Sequence, residues 1–200
     1  MNKGFSDRKK NYVNFGDSET RRVAHSHLAD CQSLWIAELS TEAHSAIITF
    51  VSDHEDLFLR IFAGSSFLTR IIRTRPDLLG ELAVEGPDVF CEKILTRLYE
   101  LDLSCDRDIL MRDLRLYRQS ISLVTAMADI AGIWSLEKVT GTLTDFDDAS
   151  VRVSLDWLLK NKSAQYGLDT PLTADQCQCV ILGMGKYGAR ELNYSSVIDI

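Results

Sequence analysis

The chain has 200 residues, of which 46% are hydrophobic and 26% charged, a composition typical of a globular protein that buries a core. Its formal net charge of −7 provides no overall basic field, so we expect no binding to nucleic acid or to an anionic membrane. No apolar run approaches the roughly 20 residues that span a bilayer, and the basic start lacks the apolar stretch of a secretory signal. We therefore predict a cytoplasmic protein.

The sequence divides into four predicted regions. Residues 1–30 are polar and predict a flexible amino terminus, because such termini commonly fray. Residues 31–165 predict a helical region, since apolar residues recur there at three- and four-residue spacing. Residues 166–177 are rich in turn formers and predict a linker, and residues 178–200 predict two strands joined by a glycine loop. The predicted fold class is a mainly α-helical region followed by the start of an α+β domain.

Several helices are predicted in the first half of the chain. One covers residues 34–51 and another runs from 55 to about 63, where Gly64, Ser65 and Ser66 make a break. A further helix carries the apolar residues of 67–72. Pro76 then starts another short helix, because proline is favoured in a first helical turn.

The most regular helical pattern follows a stretch of polar residues near 105. Ser104 or Asp106 is predicted to cap its start and Gly132 its end, and Ser135 opens the next helix. Gly141 weakens the middle of that next helix, which favours two shorter helices there. One face of the first helix is apolar, and its stripe comprises Ile109, Leu110, Leu114, Tyr117, Ile121, Val124 and Ala128.

The segment CQCVILG, residues 177–183, differs in composition from the helices before it. It is short, rich in β-branched residues and bounded by glycine, which predicts a buried strand. Cys177 and Cys179 form a CxC pair, but no second pair of cysteines or histidines stands nearby to complete a zinc site. We therefore expect reduced thiols in this segment.

The residues after this segment, GMGKYG at 183–188, contain three spaced glycines that suit more than one phosphate-binding pattern. They satisfy the GxGxxG dinucleotide fingerprint, but turn-forming NYSS at 193–196 stands where that fold needs its helix to continue. They fail the P-loop pattern, because Tyr187 stands where a hydroxyl residue should follow Lys186, and Val180 where the first glycine should be.

The third pattern is that of nucleotidyltransferases, in which a strand and a glycine-containing turn precede a strand with two acids one residue apart. Alternation along a strand places two such carboxylates on one face. There they hold magnesium ions that bind the triphosphate and activate the attacking oxygen. In this chain the two positions are 197 and 199, which are occupied by Val197 and Asp199.

The segment LGMGKYGARELNYSS…IDI, at 182–200, is similar to the signature of bacterial glutamine synthetase adenylyltransferases, bifunctional enzymes also called adenylyl-removing enzymes. The segments SSFLTRIIRTRPDLLGEL, at 65–82, and RLYRQSISLVTAMADIAGIWSLEKVTGTLTDFDDASV, at 115–151, resemble the helices that precede the first catalytic domain of that family. The resemblance covers about residues 55–200. It implies that the chain is an amino-terminal part of such an enzyme, ending in a truncated nucleotidyltransferase domain.

The resemblance also implies a reaction and its components. One catalytic domain removes AMP from a tyrosine of glutamine synthetase, using phosphate and releasing ADP, and the other attaches AMP from ATP. Mg²⁺ is the implied cofactor, with ATP, ADP and phosphate as substrates and with glutamine synthetase and a PII signalling protein as partners. Asp199 is implied as a catalytic residue and metal ligand. By motif position, the implied phosphate contacts are Gly183, Gly185, Lys186, Ser195 and Ser196.

The chain departs from the family pattern at one position of the expected metal site. The family has aspartate where this chain has Val197, whose side chain cannot bind a metal. Losing a ligand should cost at least the ~10–100-fold that altered surrounding residues cost, and any further carboxylate is expected beyond Ile200. We therefore expect the 200-residue chain alone to lack adenylyl-removing activity. The alternatives are a non-catalytic helical module that binds glutamine synthetase or a PII protein and, less favoured, an NAD-binding oxidoreductase.

Overall fold

The computed structural model describes residues 16–38, 41–165, 167, 172–196 and 198–200. Within these ranges the chain is mainly α-helical, which confirms the helical part of the predicted fold class. None of the described helices combines the length with the apolar character that a bilayer span requires. The described residues form two compact units. The first comprises those that lie within Met1–Phe90 and Leu123–Trp134, and the second those within Cys91–Ser122 and Ser135–Ile200.

The first unit is built from helices that begin earlier in the chain than residue 31. Half of the predicted amino-terminal region, residues 1–15, lies outside the described residues. The predicted helix over 34–51 corresponds to the end of one helix and most of the next, and residues 39–40 between them are not described either. The helices are α1 (Ser18–Glu38), α2 (Thr41–Asp53), α3 (Glu55–Gly64), α4 (Ser66–Thr74) and the first part of α5 (Pro76–Tyr99).

The predicted break between α3 and α4 is confirmed. Ser65 has an extended backbone, with φ −145° and ψ 104°, and its Oγ accepts a hydrogen bond from the Leu68 N–H over 3.2 Å. This bond satisfies one of the N–H groups left unpaired at a helix start, so Ser65 ends one helix and caps the next.

Helix α5 begins at Pro76 as predicted and contains a kink. Gly86 has φ +73°, a left-handed conformation that glycine adopts without steric cost, and Pro87 follows it. The helical turns before this kink correspond to the predicted short helix. The chain resumes a helical path after Pro87 and continues to Tyr99.

The core of the first unit lies where α1 packs against α3 and α4. Trp35, Phe58 and Ile72 are fully buried there, and Phe50 meets Phe58 edge-on with ring centroids 5.9 Å apart. Burial of each such side chain contributes about 1.5–3 kcal/mol relative to exposure. The apolar faces of these short helices therefore provide the main stabilisation of the unit.

Helices α6 (Arg107–Ile130) and α7 (Leu136–Gln165) begin and end close to the predicted residues. Asp106 directly precedes α6. After its end, Gly132 has φ +61° and donates its N–H to Asp129, while Ile133 donates to the Ala128 carbonyl over 2.8 Å. This paired bonding is the Schellman arrangement, in which glycine is favoured.

Helix α7 is continuous, so the prediction of two shorter helices around Gly141 is wrong. A glycine inside a helix costs about 1 kcal/mol, which packing on either side offsets. Buried side chains precede and follow it in α7, among them Val139, Leu143 and Phe146.

In the second unit, the first half of α6 runs antiparallel to α7. Arg118 in α6 donates to Asp147 over 2.6 Å. Just before the start of α6, the Trp157 indole N–H donates to the Cys105 carbonyl over 2.9 Å, and Lys160 Nζ donates to Ser104 Oγ. Residues near the start of α6 thus contact the carboxyl-terminal part of α7, as expected for antiparallel helices.

The predicted buried strand at 177–183 is not formed. These residues have no regular secondary structure, and Val180 and Leu182 are exposed. A strand needs a neighbouring backbone to pair with, and within the described residues only an isolated antiparallel bridge between Met184 and Asp199 is present. The prediction of a buried strand is therefore wrong, and the α+β part of the fold class stays a prediction.

Candidate functional site

The segment that carries the glycine motif lies along α7. The Leu172 N–H donates to Ser163 Oγ over 3.2 Å, and the Ala174 N–H donates to Asp156 Oδ1 over 2.6 Å. Arg152 on α7 also pairs with Asp175 over 2.6 Å. Side chains of α7 therefore hold the start of this segment against the helix.

The glycine loop, residues 183–188, contains one short helical turn, α8 (Gly185–Gly188). Gly185 has φ +55°, a conformation that side-chain-bearing residues rarely adopt. A Cβ atom on Gly188 would lie 2.2 Å from the Gly183 carbonyl oxygen, so only glycine fits this close approach. Two of the spaced glycines in the motif are thus required by the shape of the loop itself.

Asp199 lies beside the glycine loop. The Met184 N–H donates to the Asp199 carbonyl over 2.9 Å, and a Cβ atom on Gly185 would lie 3.5 Å from Asp199 Oδ2. The fold therefore brings together the glycine turn and the carboxylate that stand fourteen positions apart in the motif. Gly183 belongs to the same cluster through its contact with Gly188.

Ser195 and Ser196 form a separate turn with Asn193. Both hydroxyls donate to Asn193 Oδ1, over 3.2 and 2.9 Å, and the Ser195 N–H donates to the same oxygen over 3.1 Å. A hydroxyl has a single hydrogen to donate. Within the described residues, neither serine hydroxyl hydrogen-bonds the glycine loop.

Lys186 is exposed at the loop surface, and within the described part of the chain its ammonium group has no ion pair. Val197 lies outside the described residues. The described residues include no group of three or more histidine, cysteine or acidic residues that could hold a metal ion. Asp199 offers one carboxylate, which fits a Mg²⁺ ion that arrives with a substrate phosphate, because magnesium is commonly bound by one or two carboxylates plus phosphates and water.

Four functional candidates were not predicted from the sequence: Tyr187, Arg190, Asp145 and Asp148. Tyr187 is 6% exposed, and its hydroxyl donates to Asp148 Oδ1 over 2.6 Å. Burial raises the pKa of this hydroxyl, and the hydrogen bond to Asp148 acts in the same direction. Arg190 pairs with Asp145, which raises the pKa of its guanidinium, and its Nη1 lies 3.4 Å from Asp148 Oδ2.

A signal for the two aspartates was present in the sequence. Asp145 and Asp148 stand three positions apart in TDFDDAS, a spacing that places both on one face of a helix. Two acidic side chains on one helical face indicate a basic partner elsewhere. The sequence did not specify that this partner is Arg190, two residues after the glycine loop.

A cavity of about 550 Å³ separates α7 from the glycine segment. Its volume lies within the roughly 300–1,000 Å³ typical of small-molecule sites. Its lining combines charged groups of α7 with the glycine loop, and includes Asp148, Arg152, Cys179, Gly183, Gly188 and Arg190.

Comparison with known proteins places the chain in a family. A model of the glutamate-ammonia ligase adenylyltransferase family matches residues 56–200. A bifunctional glutamine synthetase adenylyltransferase/adenylyl-removing enzyme of Xanthobacter autotrophicus is 32% identical over 188 residues, which are 92% of this chain and 19% of the relative. The protein of the same name from Thioalkalivibrio sulfidiphilus is 34% identical over 153 residues, 74% of this chain and 16% of the relative. The chain thus spans less than a fifth of these relatives' length, and no solved structure matches it.

Proposed function

This chain belongs to the glutamate-ammonia ligase adenylyltransferase family, and we propose that residues 178–200 carry the glycine loop of a nucleotidyltransferase domain acting on glutamine synthetase. In the proposed reaction, a phosphate oxygen bonds to the phosphorus of AMP on a tyrosine. The bond from that phosphorus to the tyrosine oxygen breaks, the tyrosine oxygen takes up a proton, and ADP leaves. The opposite modification attaches AMP from ATP to the tyrosine, with release of pyrophosphate.

The position of Asp199 beside Gly185 is the observation that carries this proposal. Asp199 Oδ2 lies 3.5 Å from the position that a Cβ atom on Gly185 would occupy. This carboxylate could therefore bind a magnesium ion that is carried by a phosphate held at the glycine loop. The glycines allow a phosphate to approach the backbone closely, and the exposed Lys186 supplies a positive charge. When bound, Mg²⁺ would neutralise phosphate charge during transfer.

Ser195 and Ser196 are proposed as further phosphate contacts. Their hydroxyl hydrogens are engaged by Asn193 Oδ1, so each hydroxyl must rotate away from Asn193 before it can donate to a phosphate. The proposed role therefore includes a rotation of both hydroxyl groups when substrate binds. A PII signalling protein is proposed as the regulatory partner.

Val197 limits the activity expected of the 200-residue polypeptide. Valine provides no ligand at the position that would share a strand face with Asp199, so we propose that this polypeptide alone does not remove AMP from adenylylated glutamine synthetase. An assay with adenylylated glutamine synthetase, phosphate and Mg²⁺ tests this by following ADP. Release of ADP above the protein-free rate would contradict the proposed inactivity.

The nucleotide site itself is tested by restoring the second carboxylate. Calorimetric titration of Mg²⁺-ADP should show affinity at least ~10-fold higher for Val197→Asp than for the unaltered chain, because a lost ligand is regained. Ile200→Asp is the matched control, since Ile200 is exposed and the substitution adds the same charge on the opposite side of an extended chain. Equal affinities for the two variants would contradict the proposed metal position.

Titration of Mg²⁺-ADP, together with titration of the partner proteins, also tests the alternative of a helical interaction module. Its support is that the described residues are mainly helical and contain no cluster of metal ligands. Saturable binding of a PII protein or glutamine synthetase, with no Mg²⁺-ADP binding by any variant, would favour this alternative.

A further inference from the structure

Helix α7 holds the glycine loop through side chains outside the proposed phosphate contacts. Tyr187 is buried within the loop and donates its hydroxyl hydrogen to Asp148. Arg190, two residues after the loop, contacts Asp148 and Asp145. Asp148 therefore contacts both side chains and joins the loop to the helix, although it stands 39 residues before Tyr187 in the sequence.

The backbone at the end of the loop needs such support. Arg190 has φ +59°, a left-handed conformation that is unfavourable for residues with a Cβ atom. Its N–H donates to the Tyr187 carbonyl over 3.0 Å, and the Glu191 N–H donates to the Lys186 carbonyl over 2.8 Å. An unfavourable backbone conformation persists where surrounding contacts hold it, and the carboxylates of α7 provide those contacts.

The position of Tyr187 also determines the shape of the rest of the loop. A Cβ atom on Gly183 would lie 3.0 Å from Tyr187 Cδ1, so the ring packs directly against the Gly183 backbone. Gly188, which follows Tyr187, approaches the Gly183 carbonyl from the other end of the loop. A shift of the Tyr187 ring would therefore displace both ends of the glycine loop.

We propose that Asp148 is a positioning residue for the glycine loop, acting through Tyr187 and Arg190 to hold the backbone in the shape that receives a phosphate group. The inference that the loop receives phosphate rests on the function proposed above. The inference that Asp148 fixes the loop is independent of any nucleotide, because it depends only on contacts within the chain.

The first experiment measures loop opening without nucleotide. Amide hydrogen exchange of residues 188–191, whose N–H groups are bonded within the loop, should be at least about 10-fold faster in Asp148→Ala, since a charged hydrogen-bond acceptor is lost. Asp175→Ala is the matched control, because Asp175 forms the other arginine pair between α7 and this segment. It should leave loop exchange within about 2-fold of the unaltered chain.

The outcomes of this experiment separate positioning from general stability. Asp148→Asn keeps an oxygen that accepts from Tyr187 and should recover part of the protection. Equal loop exchange in Asp148→Ala and Asp175→Ala would overturn the proposal. If Asp148→Ala also exposes the amides of α7, Tyr187→Phe replaces it as the test variant, because this substitution removes only the hydroxyl. Unchanged loop exchange in that variant would likewise overturn the proposal.

The second experiment connects positioning to ligand binding. In the Val197→Asp background, Asp148→Ala should weaken Mg²⁺-ADP binding at least about 10-fold and Asp175→Ala should leave it unchanged. If the background binds and both variants bind equally well, the positioning role is overturned. If nothing binds while loop exchange still differs between the two variants, the proposed function fails and the positioning role stands.

Discussion

Asp147 on α7 is a buried carboxylate paired with an arginine. Its side chain is 10% exposed, and Arg118 donates to its Oδ1 over 2.6 Å. Burial raises the pKa of Asp147 above its ordinary value of 3.8, because the charged form loses hydration. The Arg118 guanidinium acts in the opposite direction but does not cancel the effect of burial, and the neighbouring Asp148 adds to the increase.

This shift predicts how the stability contributed by Asp147 depends on pH. A pKa raised by folding means that the folded state binds the proton more tightly, so the contribution is fully present below pH 3.8 and is lost as pH rises through the raised pKa. The loss amounts to about 1.4 kcal/mol for each unit of increase. Urea unfolding across the acid range should show the advantage of the unaltered chain over Asp147→Asn shrinking as pH rises.

Arg118→Gln provides the control for that measurement. Removing the guanidinium takes away the group that lowers the pKa of Asp147, so the pH dependence should become larger and extend to higher pH. A smaller dependence in Arg118→Gln, or a difference between the unaltered chain and Asp147→Asn that grows with pH, would contradict the assignment.

At the scale of residues, the motif predicted some, but not all, of the residues that lie together at the candidate site. The family resemblance implied Gly185 and Asp199 as members of one site, and the fold places these two residues side by side. Tyr187, Arg190 and Asp148 were not predicted, because their contact depends on how the loop packs on α7. A local pattern encodes the loop but not the helix face that supports it.

At the scale of elements, two glycines of the helical region have opposite roles. Gly141 lies inside α7 with a helical backbone, and a Cβ atom there would meet no atom within 4 Å. Gly132 follows α6 with φ +61° and takes part in the hydrogen bonds that close the helix end. The first glycine weakens its helix without a compensating contact, whereas the second is required by its conformation.

Alanine substitutions at these glycines should therefore change stability in opposite directions. Gly141→Ala should raise the free energy of unfolding by about 1 kcal/mol, because alanine favours the helix and restricts the unfolded chain. Gly132→Ala should lower it by about 1 kcal/mol, since a Cβ atom disfavours a left-handed backbone. Urea denaturation of the three proteins measures both changes, and shifts of the same sign would contradict the argument.

Helix ends were predictable from the sequence, but the continuity of α7 and the lack of a strand at residues 177–183 were not. Ser65, Gly132 and Ser135 mark helix ends through local hydrogen bonds, which depend on residue type within a few positions. Whether Gly141 breaks a helix depends on packing along its whole length. Whether residues 177–183 form a strand depends on a pairing backbone, which local composition does not provide.

At the scale of the whole molecule, the net acidic charge and an exposed apolar row, formed by Val180, Leu182 and Met184, have opposing effects on association between copies of the chain. Val180, Leu182 and Met184 stand at alternate positions of a segment without regular secondary structure and are 78%, 69% and 60% exposed. A segment with several exposed apolar side chains favours pairing with another copy. The net charge of −7 opposes this pairing by repulsion.

We predict that the chain self-associates through this row and that added salt strengthens the association by screening the repulsion. Leu182→Lys should reduce the concentration-dependent increase in mass seen by analytical ultracentrifugation, because it places a charge within the row. Leu136→Lys is the matched control: Leu136 is 71% exposed at the start of α7, and the substitution adds the same positive charge. That charge alone reduces the net negative charge and so weakens repulsion, which would increase association in both variants. A decrease in Leu182→Lys alone therefore assigns association to the row, and equal behaviour of the two variants would contradict it.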